Sequence, residues 1–251
     1  AVTSLIPRVA AMVPGGGTDA GYQFAFAGGL LGTHSVQFSE AYYAWNSHRI
    51  DIDLPSVNGF TVGASFTPAL DMNNADASSR AQPEISDNHG ETTHVAVSYS
   101  GEMEGMSYTV GVGSINGNAQ GTSKGSANQL TNNDLAAVTG AIKVTMGNLT
   151  LGAHAYDNGD SFGAAGDADK ASDQGYNLAA TYAMGNITVG VGYAHQEMVR
   201  GTRAQAAAAT LTSAAANNVR EDTTTMIGIG YNLGGGVSSW VQLSSNEHSD
   251  G

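Results

Sequence analysis

The stretches KVTMGNLTLGAHAYDNG (residues 143–159) and ATYAMGNITVGVGYAHQ (residues 180–196) repeat one pattern. Each centres on Met-Gly-Asn, and apolar residues alternate with small or polar ones on both sides. Gly-Asn between two such runs predicts a β-hairpin with a two-residue turn, because glycine adopts positive φ freely and asparagine tolerates it better than most residues. A two-residue turn fixes the register, so Met146 is expected to face Leu149. The sequence therefore predicts two hairpins of the same kind.

Each predicted hairpin has one apolar face and one face of small or polar residues. In the first copy, Val144 faces Leu151 on the apolar side, whereas Lys143 faces Gly152 on the other. Side chains alternate between the two faces of a strand, so this division follows from the register alone. The face of small and charged residues cannot form a conventional core. The pattern of one hairpin does not show what covers the apolar face.

The same alternation continues along most of the chain and predicts about ten strands in five hairpins. Short turns alternate strictly with long polar stretches. The turns are at 56–59, 101–105, 147–148, 185–186 and 234–236, and the polar stretches are at 68–93, 114–136, 157–175 and 197–222. A soluble β-sandwich has no reason to separate loop lengths in this way, whereas membrane barrels join their strands by short periplasmic turns and longer extracellular loops. We therefore predict an all-β fold, an antiparallel transmembrane β-barrel over residues 48–251, preceded by an irregular segment at 1–47.

Composition narrows the function further. The chain of 251 residues has a net charge of −13 and no cysteine. No run of about twenty apolar residues predicts a membrane-spanning helix, and no secretory signal is visible. The nine basic residues are scattered, which argues against a nucleic acid partner. Motifs for phosphate binding, zinc proteolysis or a nucleophilic serine are absent, so no enzyme is predicted.

Two alternative functions remain open from composition and motifs. The glycine-rich β composition also fits a secreted adhesin or a lectin-like surface protein. A ten-stranded outer-membrane protease is the other alternative, because such enzymes carry Asp and His at the outer rim. The residues that suggest it are His195, Glu197 and Asp222.

One segment resembles a known family. The stretch HRIDIDLPSVNGFTVGASFT (48–67) is similar to the strand–turn–strand that follows the constriction loop in bacterial general porins, particularly the alphaproteobacterial trimeric type. The matching positions are Arg49, Pro55-Ser56, Gly59-Phe60 and Gly63-Ala64-Ser65. The two Met-Gly-Asn hairpins resemble later hairpins of the same family.

The resemblance implies a sixteen-stranded outer-membrane barrel that passes small hydrophilic solutes and ions by passive diffusion, usually as a homotrimer and without a required cofactor. It also implies a loop folded into the pore, which by position lies within residues 1–47. Because the family's opening strands and its closing strand with a C-terminal Phe are not recognisable, we interpret the chain as the central portion of such a porin. A complete, smaller barrel is the alternative.

Charged residues on the pore wall and on the inserted loop are the candidate functional residues, because fixed charges set ion preference. They are Asp19, Glu40, Arg49, Asp51, Asp53, His94, Lys143 and His154. Asp19 and Glu40 are expected to oppose the bases across the narrowest point, and Arg49 follows directly after the loop. The excess of acidic over basic residues predicts a modest preference for cations. Solvated wall residues without a special role are the alternative interpretation.

Acidic glycine-rich loops raise the question of calcium. The stretch 157–173 contains Asp157, Asp160, Asp167 and Asp169, and oxygen ligands on flexible loops suit Ca²⁺. The spacing does not match an EF-hand, so a solvated acidic loop is the other interpretation. Divalent cations there are also expected to bridge the protein to phosphates of outer-membrane lipid or lipopolysaccharide.

Overall fold

The described part of the chain forms one antiparallel sheet. The computed structural model describes residues 50–69, 89–119, 133–161, 172–199 and 219–250. The sheet has ten strands, each paired with its neighbours in chain order, so that β1 and β10 are its edges within this part of the chain. The strands are β1 Ile50–Asp53, β2 Phe60–Ala69, β3 His89–Met103, β4 Met106–Ala119, β5 Leu135–Met146, β6 Leu149–Asp157, β7 Ser172–Met184, β8 Ile187–Val199, β9 Val219–Gly234 and β10 Val237–Asp250.

The structure confirms the predicted registers. Met146 pairs with Leu149, and Lys143 pairs with Gly152. The β7–β8 hairpin repeats this arrangement around its own Gly-Asn turn. In both turns the glycine has positive φ, +55° at Gly147 and +59° at Gly185, as a glycine in the first turn position allows.

One predicted connection is wrong in detail. The sequence predicts a turn over 101–105, but the strands continue to Met103 and Met106, and only Glu104 and Gly105 form the turn. Both turn residues have positive φ, +49° and +81°. This is the pattern of a type I′ turn, whose twist matches that of the flanking strands. The compact turn therefore places Glu104 in a conformation that few non-glycine residues adopt.

The strands also extend beyond their predicted limits into the polar stretches. β3 begins at His89, inside the stretch predicted as a loop, and β9 begins at Val219. A bulge interrupts the β3 extension. Glu91 has φ of +50°, and the β3–β4 register shifts there. Pro68 has no N–H to donate and stands at this level of β2, where the ladder skips from Thr67 to Ala69.

The two faces of the sheet differ in chemistry and exposure. One face, the apolar face, carries mostly Val, Ile, Leu, Met, Tyr and Phe, and many of these large side chains are exposed. The other, the polar face, carries Gly, Ala, Ser, Thr, Asn and His, and much of it is buried. This inverts the arrangement of a soluble β-protein, in which the apolar face is the buried one.

Aromatic residues on the apolar face cluster near both ends of the strands. Close to the turns, the ring centroids of Phe60 and Tyr99 are 4.6 Å apart, and Tyr108 follows at 5.8 Å from Tyr99. Towards the long loops, Tyr176 and Tyr193 are 6.0 Å apart. Two aromatic levels on either side of an apolar band are typical of proteins that cross a bilayer with strands.

In the described ranges, no helix is long and apolar enough to cross a membrane. The segment 1–47 with its predicted constriction loop lies outside the described residues, as do Asp19, Glu40, Arg49, Asp167 and Asp169.

Candidate functional site: the polar face of the sheet

The polar face has an open half and a buried half. Next to the Gly147-Asn148 turn, Lys143 is exposed and Thr145 half-buried, but Ala141 and Thr139 farther along β5 are buried. The other central strands change in the same way at a similar distance from their turns. We refer to the two regions as the turn-side half and the loop-side half of the polar face. Solvent reaches the turn-side half most readily.

His154 links two neighbouring strands in the loop-side half. It is 6% exposed, and its ring is held between β5 and β7. Thr139 Oγ1 lies 2.7 Å from His154 Nε2, and Asn177 Nδ2 lies 3.3 Å from His154 Nδ1. The Thr139 hydroxyl donates its own hydrogen to the Ala155 carbonyl at 3.2 Å, so Nε2–H donates to Thr139 while Nδ1 accepts from Asn177. The contacts therefore fit a neutral imidazole.

Tyr156 and Gly175 form a tight cross-strand pair beside His154. The two residues face each other across β6 and β7, and the Tyr156 ring is stacked with that of His154 at 6.1 Å between centroids. A Cβ on Gly175 would lie 2.6 Å from the His195 carbonyl oxygen and 2.7 Å from the Tyr156 hydroxyl. Only glycine fits under this ring, which explains the glycine at an otherwise unfavourable strand position.

The described candidate residues do not gather at one point. Lys143 lies in the turn-side half between Thr109 and Gly152, diagonally next to His154 as predicted. Asp51 and Asp53 lie exposed on edge strand β1, opposite Ser65 and Gly63. At roughly 4.8 Å per strand, β1 and β5 are about 19 Å apart across the sheet. The structure therefore spreads the charges along the wall.

His94 belongs to the loop-side half. It is 3% exposed and stands between Ser65 on β2 and Ile115 on β4. It is thus part of the buried wall, across β4 and β5 from His154, and its row of the ladder lies four residues farther from the turns than that of His154.

Several polar-face residues were not predicted from the sequence, because charged residues and histidines were considered first. They lie at alternate positions along the strands, in phase with the polar-face residues that were predicted, so the period-two pattern was sufficient to identify them. They are Thr139, Tyr156, Asn177, Gln196 and Thr224.

The calcium prediction is only partly within the described residues. Asp157 Oδ1 accepts a hydrogen bond from the Gly159 N–H at 2.7 Å, and the Asp160 carbonyl accepts from Asn133 Nδ2 at 3.0 Å. Among the residues that the structure describes, no three His, Asp or Glu side chains gather as a metal site requires. These contacts shape the turn that follows β6, at the end of the β5–β6 hairpin away from the Gly147-Asn148 turn.

The residues behind the protease alternative lie on different faces. His195 pairs with Thr223, and its Nδ1 lies 3.3 Å from the Thr223 hydroxyl on the apolar face. Asp222 pairs with Gln196, a buried residue of the polar face. A catalytic pair needs both side chains within hydrogen-bond reach of one substrate, and the alternation of the strand opposes this.

Comparison with known proteins agrees with this architecture. A model of the Gram-negative porin family matches residues 7–251. No curated protein matches the sequence. Among solved structures, an anion-selective porin from Comamonas acidovorans is similar at a TM-score of 0.51 and 15% identity, over 80% of this chain and 49% of that one. OccK2 of Pseudomonas aeruginosa is matched at a TM-score of 0.48 and 12% identity, over 82% of this chain and 66% of that one. The chain thus spans about half to two thirds of the length of these structures.

Proposed function

Because the chain belongs to the Gram-negative porin family, a family of outer-membrane channels, we propose that it forms the wall of a water-filled pore for small hydrophilic solutes and ions, with a modest preference for cations. The observation that carries the proposal is the division of the sheet into an exposed apolar face and a polar face. Lipid stabilises the first, and a hydrated pore suits the second. The protein resides in the bacterial outer membrane.

The cation preference is proposed from the charges. The sequence has 22 acidic and 9 basic residues. On the polar face, the exposed carboxylates of Asp51, Asp53 and Glu102 outnumber the exposed ammonium of Lys143, among the residues whose exposure the structure describes. A negative potential at the pore raises the local cation concentration and weakens as salt screens it. The Comamonas neighbour is anion-selective, but at 15% identity that likeness shows the fold alone.

The reversal potential of the reconstituted protein under a salt gradient, at two ionic strengths, tests the preference. We expect a cation-favouring potential that is larger at low salt. Lys143→Gln removes the opposing charge and should increase the preference, whereas Thr109→Ala next to it should not. An anion-favouring potential at low salt would contradict the proposed selectivity and would leave the channel itself standing.

We also propose that the assembled protein is a homotrimer, as in the general porins that residues 48–67 resemble. A large apolar face supports contact with further copies as well as with lipid. Chemical cross-linking of the protein in its native membrane, followed by denaturing gels, should give a ladder that stops at three copies. A single band at the size of one copy would contradict the trimer.

A further inference from the structure

Methionines line the apolar face immediately beside the turns. Met103 pairs with Met106 across the β3–β4 turn, and Met106 pairs on its other side with Met146 of β5. Met184 occupies the corresponding place in the β7–β8 hairpin. We call Met103, Met106, Met146 and Met184 the methionine rim. It holds four of the eight methionines of the chain.

The methionine rim lies at the turn-side end of the apolar face, where that face meets the polar turns. Met103 is 56% exposed and Met184 is 47% exposed, and the other two are half-buried. The neighbouring turn residues Glu104 and Gly105 are exposed, as polar turn residues at a membrane surface would be. Met226, in contrast, is 0% exposed on the polar face. The same chain therefore contains thioethers in opposite environments.

Packing at the rim does not require sulfur. Met146 faces Leu149, and Met184 faces Ile187, so aliphatic residues fill the equivalent position on the partner strand. Leucine would supply a similar apolar volume there. What methionine adds is an oxidisable thioether, whose susceptibility follows its exposure.

We propose that the methionine rim is a site of oxidation by small hydroperoxides such as hydrogen peroxide. The thioether sulfur attacks one peroxide oxygen, an S–O bond forms, and the O–O bond breaks. The sulfur loses two electrons to become a sulfoxide, and the departing oxygen takes up the proton of the transferred hydroxyl, so that it leaves as water from hydrogen peroxide or as an alcohol from an alkyl hydroperoxide. No other reactant is needed.

Oxidation of the rim changes how the barrel end meets the bilayer. A sulfoxide is polar, so up to four adjacent or equivalent positions beside the turns would lose their apolar character together. The apolar band would then end farther from the turns, and the turn-side end would be held less firmly in lipid. The expected result is a lower thermal stability of the oxidised protein in the membrane.

The first arm of the test follows oxidation site by site. Folded protein in liposomes is exposed to hydrogen peroxide for increasing times and digested, and sulfoxide is measured by mass spectrometry. Met103 and Met184 should oxidise at least about tenfold faster than Met226, in line with exposure. Rim methionines that oxidise no faster than Met226 would overturn the proposal.

The second arm separates the rim from other methionines. A variant with leucine at all four rim positions keeps Met226 and the remaining methionines as internal controls. After peroxide treatment, the thermal midpoint of the wild-type protein should fall, and that of the leucine variant should not. An equal fall in both proteins, or no fall in either, would contradict the proposed effect on stability.

Discussion

His154 illustrates how single residues keep a polar wall satisfied. Each ring nitrogen has a partner on a neighbouring strand, and the Thr139 hydroxyl completes the chain at the Ala155 carbonyl. The sequence predicted the position of His154 on the wall because the Gly147-Asn148 turn fixes the register. It did not predict the burial of His154, since that depends on contacts beyond the hairpin.

Thr139→Val tests this network. Valine keeps the shape of threonine but leaves the His154 Nε2–H without its acceptor, and an unpaired buried donor costs on the order of 1–3 kcal/mol. We expect the free energy of unfolding in lipid, measured by urea titration, to fall by this amount. Thr145→Val is the matched control. Its partner Thr150 is 3.2 Å away in the half-buried turn-side half, so its loss should cost less. Equal losses would argue against a special role of the His154 network.

Gly175→Ala tests the close packing under Tyr156. The new Cβ would meet a backbone oxygen at 2.6 Å, and a backbone carbonyl cannot move away without distorting the β7–β8 ladder. Overpacking of this kind costs roughly 1–3 kcal/mol. Gly140→Ala on β5 is the control, because its nearest neighbour is a Val112 methyl at an ordinary 3.7 Å. Urea titration in lipid should separate the two variants, and similar stabilities would contradict the packing argument.

At the scale of the strand, the sequence specifies register better than length. The turn glycines and the apolar alternation determine which residues face each other, and these pairs are confirmed across β5–β8. The strand ends that lie away from the turns were predicted too close to the turns, so the predicted strands were too short. Beyond the membrane both faces of a strand meet water, so the alternation that reveals a strand disappears although backbone pairing continues, as at the start of β3 and β9.

The five hairpins predict one orientation in the membrane. All five turns lie at the same end of the antiparallel sheet, and the strand ends that lead into the long polar stretches lie at the other end. Protease added to intact cells should cut only within those stretches, because exposed polar loops are where nicking concentrates. Mass spectrometry of the fragments would locate the cuts. A cut at Gly147-Asn148 or at any equivalent turn in intact cells would overturn this topology.

At the scale of the whole molecule, membrane insertion was predictable and the arrangement of charges was not. Alternation and loop lengths indicate a membrane barrel because lipid can cover an apolar face that a soluble fold would leave exposed. The placement of charges relative to one another depends on sheet curvature and on segments distant in sequence. Hence the register places Lys143 beside His154, whereas the predicted opposition of Asp19 and Glu40 to the bases remains a prediction.

The central claim is that one face of the sheet meets lipid and the other meets water, and the absence of cysteine makes it directly testable. Single cysteines are introduced along the turn-side part of the β5–β6 hairpin, and the reconstituted protein is treated with a charged thiol reagent. Lys143→Cys, Thr145→Cys and Thr150→Cys should react rapidly. Ile142→Cys, Val144→Cys and Leu151→Cys should be protected by lipid, which gives a period of two. If reactivity does not alternate along the strands, or if the cysteines at 142, 144 and 151 react faster than those at 143, 145 and 150, the assignment of the two faces to lipid and water is contradicted.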